Sequence, residues 1–565
     1  MSNPILPALI FFVGAIVVGL LRGRAQVTVA LLVPVAGAAN MLLNVEHGLY
    51  WQFGLFDYSL TMMRVDKLSL LFGYLFHLAA FIGVVYALHL RDTTQQVAAL
   101  LYAGGALGAV FAGDLITLFV FWEILAVTSV FLIWARRTAR AQAAGMRYLL
   151  VQVASGVILL AGALMYLHET GSIGFERMQL DGDLGPWLIF LAFGIKCAFP
   201  LLHNWVTDAY PEATPTGAVF LSAFTTKVAV YAFARAFPGT EWLIYIGVGM
   251  AAFPIFYAVI ENDLRRVLCY SMINQVGFMV VGIGLGTDLA LNGAVSHAFN
   301  DVIFKGLLFM SMGAVLHMTG KMNGSELGGL YKSMPITTVL CIVGAASISA
   351  FPLFSGFVSK SMVMAAALQE GYDWVWLVLL FASAGVFHHA GIKIPFFAFF
   401  AHDSGIRTKE PPVNMLIAMF IAAAVSIFNG SYPWVLYSLL PWSVDYAPYT
   451  WSHVITQTQL LFFSALAFIF LKLTNLYPPE LPSTNIDAEW AYRRLLPRMT
   501  NGVIAMFAPV DRAMRGLTLA RFERFVQRLY RHYGPDGVMA RTWPTGSTAL
   551  WVAILLSVYL LLSYV

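Results

Sequence analysis

The sequence predicts an all-α polytopic membrane protein, and three observations support this fold class. Of its 565 residues, 59% are hydrophobic and only 11% are charged, whereas soluble domains carry about 25% charged residues. Apolar runs of the roughly 20 residues needed to cross a bilayer recur from end to end. Basic residues accumulate in alternate loops between these runs. A soluble enzyme is therefore excluded, and a net charge of only +4 indicates no nucleic-acid partner.

The apolar runs predict about 14–16 transmembrane helices, each near the length that a bilayer requires. The first begins without the basic segment that precedes a cleaved signal peptide, so we interpret it as a retained span. In chain order the runs lie at 5–22, 27–44, 67–90, 95–113, 115–135, 147–167, 186–205, 215–237, 241–260, 266–286, 289–318, 336–369, 373–401, 413–430, 457–473 and 547–565.

Loop charges predict the orientation of these spans. The odd-numbered loops hold basic residues such as Arg24, Arg91 and Arg265, whereas the even-numbered loops are poorer in them and carry acids such as Asp114 and Asp288. Since Lys and Arg accumulate in short cytoplasmic loops, we expect the odd loops in the cytoplasm and both termini outside.

The segment 487–541 interrupts the apolar pattern, with ten Arg against five acids. Part of it places apolar and basic residues on opposite sides of a predicted helix: Leu519, Phe522, Phe525, Val526 and Leu529 against Arg521, Arg524, Arg528 and Arg531. This pattern predicts an amphipathic helix along the cytoplasmic surface, acting as a lateral strut or a docking face for a partner subunit. A soluble tail is the alternative, although the span at 547–565 returns the chain to the membrane.

Five ionisable residues lie inside predicted spans: Glu123, Lys196, Lys227, Lys305 and Lys360. Each ionised group near a bilayer centre costs roughly 2.5–3.5 kcal/mol, about 12–17 kcal/mol for five, comparable to the roughly 5–15 kcal/mol stability of a typical protein. Buried salt bridges are the structural alternative, but mid-span lysines outnumber mid-span acids. The excess of buried lysine favours internal water and a proton relay.

Two of these lysines accompany predicted helix breaks. Pro200 lacks a backbone N–H, so the carbonyl of Lys196 loses its helical donor. Pro352 and Gly356 precede Lys360 and predict a second interruption. Broken helices at membrane depth occur where they line a water-filled cavity or are buried in protein. Two such spans, about five spans apart, indicate an internal duplication with the transport path at its centre.

A further polar stripe is formed by His297, Asp301 and Lys305, which are spaced by four residues and share one helix face. It is interpreted as a hydrogen-bonded proton wire, although a lone histidine on an apolar helix is more often a core residue. Lys393, with two preceding histidines, forms a weaker cluster near a span end, which is either an exit or a set of interfacial anchors.

The sequence predicts no metal site and no cofactor. No further His or Cys accompanies the stripe at ligand spacing. The three cysteines, Cys197, Cys269 and Cys341, are far apart in apolar stretches, as expected of small buried side chains. No P-loop or haem-attachment motif is present.

Five motifs carry a resemblance to a known family. They are FVFWEI around Glu123, the block KCAFPLLHNWVTDAYPEATPTGAVFLSAFTTK at 196–227, DLRRVLCYSMINQVGF at 263–278, HAFNDVIFKGLLF at 297–309, and GFVSK ending at Lys360. Across roughly residues 60–430 the chain resembles the antiporter-like subunits of respiratory complex I, membrane-bound hydrogenases and Mrp-type multisubunit monovalent cation/proton antiporters. The family implies two inverted five-helix repeats, each with a broken helix, and a hydrated line of charges at the membrane mid-plane.

The resemblance also implies roles for individual residues. Glu123 is the acid paired with Lys196 of the first broken helix, Lys227 and Lys305 are central relay residues, and Lys360 belongs to the second broken helix. Two positions depart from the family pattern: Asp301 stands where relatives often carry a second histidine, and Arg265 stands where a lysine is frequent.

We expect a protein of the bacterial inner membrane, and the charge pattern places residues 487–541 on its cytoplasmic side. We expect N-terminal helices at 1–90, a first inverted repeat at 95–237 and a second inverted repeat at 241–401. C-terminal helices at 413–473, a lateral segment at 487–541 and a final span at 547–565 follow.

Three functional hypotheses follow. GIKIPFFAFF at 391–400 and the stretch 443–471 look most like the D subunit of Mrp-type antiporters, which implies a chain that moves protons in exchange for Na⁺ or K⁺. The C-terminal tail looks like that of the largest antiporter-like subunit of complex I, so a redox-driven complex is the alternative. A scaffold without transport is the third. The expected partners are other membrane subunits and the lipid bilayer; the chain would have no catalytic chemistry of its own, and would be part of a translocase only within a redox complex.

Overall fold

The computed structural model describes residues 4–55, 58–481, 485–541 and 544–564. These residues divide into two compact units, one extending to Asp487 and the other beginning at Ala488. Both are mainly helical, as the sequence predicted.

Helices form most of the first unit. They are α1 (Pro7–Leu20), α2 (Gly23–Asn44), α3 (Lys67–Ala87), α4 (Thr93–Phe111), α5 (Leu115–Trp134), α6 (Ala139–Thr170), α7 (Leu184–Lys196), α8 (Asn204–Ala209), α9 (Pro215–Ala223), α10 (Thr225–Ala236), α11 (Glu241–Ile260), α12 (Leu264–Leu285), α13 (Asp288–Thr319), α14 (Pro335–Ile348), α15 (Ser355–Gln369), α16 (Asp373–Val386), α17 (Lys393–Pro395), α18 (Val413–Ser431), α19 (Pro433–Ser438) and α20 (Trp451–Leu473). Short 3₁₀ turns lie at Tyr210–Glu212 and Leu330–Lys332, and π-helical segments lie at Phe387–Ile392 and Phe396–Phe400.

Within the described residues, twelve helical segments are long and apolar enough to cross a membrane, where α9 with α10 and α16 with the turns up to Phe400 each count as one segment. Three shorter apolar helices, α1, α7 and α14, accompany them. The predicted runs 186–205 and 336–369 are each divided in the structure, because their central prolines stop the helix. The multi-pass membrane fold predicted from the sequence is confirmed.

Polar side chains begin several of these helices. Asp66, Asp114 and Thr138 each accept a hydrogen bond from a backbone N–H in the first turn of α3, α5 and α6. Such caps satisfy donors that have no partner within the helix. Asp114, which the sequence places in a loop between two predicted spans, therefore sets where α5 starts.

A β-hairpin between α2 and α3 was not predicted. Strand β1 (Gly48–Leu55) pairs antiparallel with β2 (Tyr58–Val65), with Gly48 opposite Val65. The backbone N–H of Thr61 donates to Asp114 Oδ2 at 2.7 Å, which ties β2 to the start of α5. The two strands were not predicted because each has only eight residues, far fewer than the roughly 20 apolar residues of a membrane span.

Both predicted helix breaks are present, and they have the same local structure. The tetrapeptide Ala-Phe-Pro-Leu follows α7 at 198–201 and α14 at 350–353. Its alanine and leucine have positive φ in both copies: 63° and 70° in the first, 57° and 73° in the second. Since such φ values are costly for residues other than glycine, the surrounding structure imposes this turn at both sites.

The positive φ of Ala350 leads to a stability prediction. Ala350→Gly removes a left-handed cost of about 1–2 kcal/mol but adds about 0.5–1 kcal/mol of backbone entropy. We expect the melting temperature of the purified protein to stay unchanged or to rise slightly. In the matched control Ala345→Gly, inside α14, glycine should destabilise by about 1 kcal/mol or more. Equal losses in both variants would contradict the prediction.

A third interruption, at Phe224 between α9 and α10, was missed by the sequence analysis. The Tyr102 hydroxyl accepts from the Thr225 backbone N–H at 3.1 Å and lies 2.6 Å from Thr225 Oγ1. Tyr102, on α4, therefore satisfies a polar group at the break. The sequence contains no proline or glycine there, so composition could not reveal it.

The second unit contains a π-helical turn at Ala491–Leu495, the helix α21 (Leu496–Tyr533) and the helix α22 (Thr545–Ser563). The 38-residue α21 carries most of the predicted basic residues and is continuous through Pro509. The helix α22 is one of the twelve candidate spans. The predicted long amphipathic helix followed by a span is therefore present.

Candidate functional site

The centre of the first unit contains a buried ion pair. Nζ of Lys227, on α10, lies 2.6 Å from Oδ2 of Asp301, on α13, and both side chains are fully buried. Nζ also donates to the carbonyl of Ser222 at 3.2 Å. Ser222 is in the last turn of α9, where carbonyls lack intrahelical donors. The break at Phe224 thus provides an acceptor for the buried ammonium group.

Lys305 and His297 flank Asp301 on α13, as their spacing predicted, but they bind neutral groups. Lys305 Nζ donates to Ser271 Oγ on α12 at 2.8 Å. His297 Nδ1 lies 3.0 Å from Ser359 Oγ on α15, and its Nε2 lies 3.1 Å from the Gln275 side-chain oxygen on α12. The stripe is therefore connected to two neighbouring helices through hydrogen bonds to hydroxyl and amide groups.

The lysines of the two broken helices bind backbone carbonyls. Lys196 Nζ donates to the Trp122 carbonyl at 2.5 Å and lies 4.5 Å from the centroid of the Trp122 ring. Lys360 Nζ donates to the carbonyl of Ile348, the last residue of α14, at 3.1 Å and lies 5.0 Å from the Phe278 ring centroid. Both lysines are buried, and aromatic faces partly replace the water that each ammonium has lost.

Glu123 is close to Lys196 along this path but does not pair with it directly. No basic side chain of the described residues lies within 4 Å of its carboxylate, and its Oε1 is buried without a hydrogen-bond partner. A Cβ on Gly156 would lie 1.5 Å from Oε1, so this glycine makes room for the carboxylate. Lys196 makes its direct contact with the adjacent Trp122, while the Glu123 charge acts on it through space.

Lys393 is a buried residue with an acid partner that the sequence analysis missed. Its Nζ lies 2.9 Å from Glu480 Oε1 and donates to the carbonyls of Val259 and Glu261 at 2.7 and 2.6 Å. Glu480 follows α20 in a polar stretch where an acid is unremarkable. Sequence reasoning therefore had no signal for this pair.

A second acid was missed for the same reason. Asp487 Oδ2 lies 3.1 Å from His203 Nε2 and accepts from the Tyr270 hydroxyl at 2.7 Å. All three residues are buried. His203 belongs to the linker after the first helix break, so the break is connected to a residue 284 positions later in the chain.

The two histidines before Lys393 do not extend this polar network. The ring of His388 contacts Phe468 and Tyr477, with centroids 5.4 Å away in both cases. His389 is fully buried, and neither ring nitrogen has a hydrogen-bond partner among the described residues. These histidines pack near Lys393 without linking it to the stripe.

In the part of the chain that the structure describes, no group of three His, Cys, Asp or Glu side chains could hold a metal ion. Cys197, Cys269 and Cys341 are buried free thiols. The buried polar groups described at the site are amines, carboxylates, an imidazole and hydroxyls.

The fold and the site together define a class: a polytopic membrane protein with two broken helices and buried charges along its interior. A family model described as NADH:quinone oxidoreductase/Mrp antiporter, transmembrane, matches residues 112–388. The matched region includes the helices that carry Glu123, Lys196, Lys227, Asp301, Lys305 and Lys360.

Individual proteins with similar sequences agree with this match. The chain is 30% identical over 445 residues to the A subunit of the Na⁺/H⁺ antiporter of Alkalihalophilus pseudofirmus, covering 69% of this chain and 55% of the relative. It is 31% identical over 311 residues to the D subunit of the Na⁺/H⁺ antiporter of the same organism, covering 51% and 63%. The chain thus spans little more than half the length of these relatives.

A solved structure shows the same fold over nearly the whole chain. It is the membrane-bound sulfane sulfur reductase, described as an archaeal respiratory membrane complex, with a TM-score of 0.70 and 21% identity. The match covers 98% of this chain and 99% of the other.

Proposed function

We propose that this chain is the proton-translocating subunit of a multisubunit monovalent cation/proton antiporter. The observation that carries the proposal is the set of four lysines, Lys196, Lys227, Lys305 and Lys360, that are at most 1% exposed in apolar helices. Charges at such positions are costly and typically mark an ion pathway. The antiporter subunits among the relatives favour cation exchange over other kinds of proton transport.

The proton path would run along the buried polar groups. Glu123 and Lys196 would form one end, the Lys227–Asp301 pair the centre, and Lys305, His297 and Lys360 the other end. The central pair joins α10 to α13 by a close contact between opposite charges, and a further charge that approaches it changes that attraction. Hydroxyls such as Ser271 can both accept and donate, so they can link one amine to the next.

The two halves of the path would be related by an inverted duplication. The 32-residue helices α6 and α13 each end at a glycine with positive φ. Each is preceded by a helix with an aspartate N-cap, and those aspartates form matching isolated bridges, Asp114 with Gly174 and Asp263 with Asn323. Together with the repeated Ala-Phe-Pro-Leu turn, these features support two copies of one unit. If an odd number of spans separates the start of the first copy from the start of the second, the second copy has the opposite orientation in the membrane.

The sidedness and the partners are also part of the proposal. The basic odd loops support a bacterial inner-membrane protein with both termini outside and residues 487–541 in the cytoplasm. Other membrane subunits of the complex would complete the cation path, with Na⁺ or K⁺ as the exchanged ion.

The relay is tested in the reconstituted complex. Glu123→Ala and Lys196→Ala should each lower cation-dependent proton flux at least tenfold. Each variant removes a proton-carrying group from the proposed path, and no other ionisable side chain of the described path takes its place. Flux is measured with a pH-sensitive dye in proteoliposomes, normalised to assembled complex. Wild-type flux in both variants would rule out the relay.

A proton-pumping subunit of a redox-driven complex is the second candidate, favoured by the match of 98% of the chain to a respiratory membrane complex. The subunit composition of the purified complex separates the two candidates. Small antiporter subunits alone support the antiporter, whereas iron–sulfur proteins support the redox complex. If the complex that contains the wild-type chain shows no proton flux, that result would support a scaffold without transport.

A further inference from the structure

The chain leaves α20 and crosses back over the first unit without regular structure. We name residues 474–481 and 485–487 the C-terminal strap. Two of its side chains are acids withdrawn from solvent: Glu480 is 5% exposed and Asp487 is 6% exposed. Its other residues include exposed ones, among them Leu476 and Leu481 at 67% and 55%. The strap is therefore a surface segment that turns its carboxylates inward.

The first carboxylate reaches Lys393. The Nζ–Oε1 distance is 2.9 Å, and Lys393 is also bound to the last backbone carbonyls around α11. Asn485, from the same strap, donates to Glu261 Oε2 at 3.3 Å. Glu480 thus sits where α11, Lys393 and the strap meet.

The second carboxylate reaches the first helix break. Asp487 contacts His203 in the linker after α7 and Tyr270 on α12. The two acids contact one residue in each half of the first unit. Asp487 contacts His203, which lies just before α8 and follows the first helix break. Glu480 contacts Lys393, which lies beyond α15 and follows the second break. The strap is the only described segment after α20 in the first unit, so both contacts depend on it.

Buried charged side chains are not needed merely to hold the strap against the first unit. A buried charge costs free energy unless it is paired, and apolar side chains hold a strap without that cost. Burial raises the pKa of the Glu480 carboxyl above its usual range, while Lys393 acts in the opposite direction; Lys472 and Glu261 are the other charges that face it. A carboxyl in this setting can both gain and lose a proton.

We propose that the C-terminal strap supplies two proton-transfer acids, Glu480 beside Lys393 and Asp487 beside His203, at the membrane face where α20 ends. This inference rests on the proposed proton transport. At the first contact the Lys393 ammonium passes one proton to the Glu480 carboxylate, leaving a neutral amine and a carboxylic acid. The acid then releases that proton to water, since its neighbours Pro479 and Leu481 are exposed. At the second contact an imidazolium at His203 passes one proton to the Asp487 carboxylate, leaving a neutral imidazole and a carboxylic acid.

The test measures proton flux of the full complex in proteoliposomes, per assembled complex. Glu480→Gln keeps the shape and a hydrogen-bond acceptor for Lys393 but cannot carry a proton. We expect at least a tenfold loss of flux, and a comparable loss for Asp487→Asn. The matched control is Glu326→Gln, which removes the acid of an exposed pair with Lys321 at 2.7 Å; its flux should equal that of the wild type.

A second variant separates proton transfer from structure. In Lys393→Met/Glu480→Gln neither buried charge is left unpaired, so the complex should assemble even if the single variant does not. The proposal expects this double variant to assemble and to lose flux at least tenfold. Wild-type flux in the double variant or in Glu480→Gln would overturn it. Absence of flux in the wild type would instead overturn the proposed function, which distinguishes the two failures.

Discussion

Lys227→Met is expected to abolish proton transport and to lower the stability of the protein by about 3–5 kcal/mol. The reason is the 2.6 Å pair with Asp301, in which both side chains are fully buried. Removing the lysine leaves Asp301 with its carboxylate in a medium that cannot hydrate it, and a buried unpaired charge is among the costliest defects in a protein. Stability is measured as the loss of folded complex on heating.

The double variant Lys227→Met/Asp301→Asn provides the control for this effect. Because neither charge remains, its stability should recover to within about 1–2 kcal/mol of the wild type, in line with other neutral replacements of buried pairs. Its proton flux should stay at background. Recovery of flux in the double variant would contradict a role for this pair in transport, whereas equal instability of both variants would contradict the buried pair itself.

Gly356→Ala is expected to disrupt the second broken helix. A Cβ at this position would lie 1.9 Å from the backbone carbonyl oxygen of Ser347, and backbone atoms cannot move aside as a side chain can. Overpacking of this kind costs roughly 1–3 kcal/mol, occasionally more. Lys360 is four residues further along α15, so a displaced helix start would also move its ammonium away from Ile348. We expect a lower melting temperature and at least a tenfold lower flux.

Gly306→Ala is the matched control, since a Cβ on this membrane-helix glycine meets nothing within 4 Å. It should be neutral or stabilise by up to about 1 kcal/mol, the helix-propensity difference between the two residues. If Gly356→Ala matched Gly306→Ala in melting temperature and flux, the close approach of α15 to α14 would be wrong.

The candidate site was only partly predictable because sequence spacing reports single elements. The four-residue spacing of His297, Asp301 and Lys305 correctly placed them on one helix face. It did not reveal that Asp301 binds Lys227, 74 residues earlier in the chain. For Glu123, the family resemblance implied a direct pair with Lys196, and the structure places a backbone carbonyl there instead.

Other residues were missed because their types are ordinary where they occur. Glu480 and Asp487 lie in a polar stretch, and an acid in a loop carries no signal of burial. The break at Phe224 has no proline or glycine, and the Ala-Phe-Pro-Leu repeat becomes meaningful only when both copies have the same positive φ values.

Composition and run length by themselves determined the membrane fold, the approximate spans and the two proline-dependent breaks, because these follow from local properties: hydrophobicity, helix length and the missing N–H of proline. The partner of each buried charge was decided only by the tertiary structure. Pairing across helices depends on which helix faces meet after packing. The sequence alone does not give the distances between side chains on different helices. The small charged fraction of this sequence therefore identified the lysines, and the fold selected Asp301, Glu480 and the helix-end carbonyls that bind them.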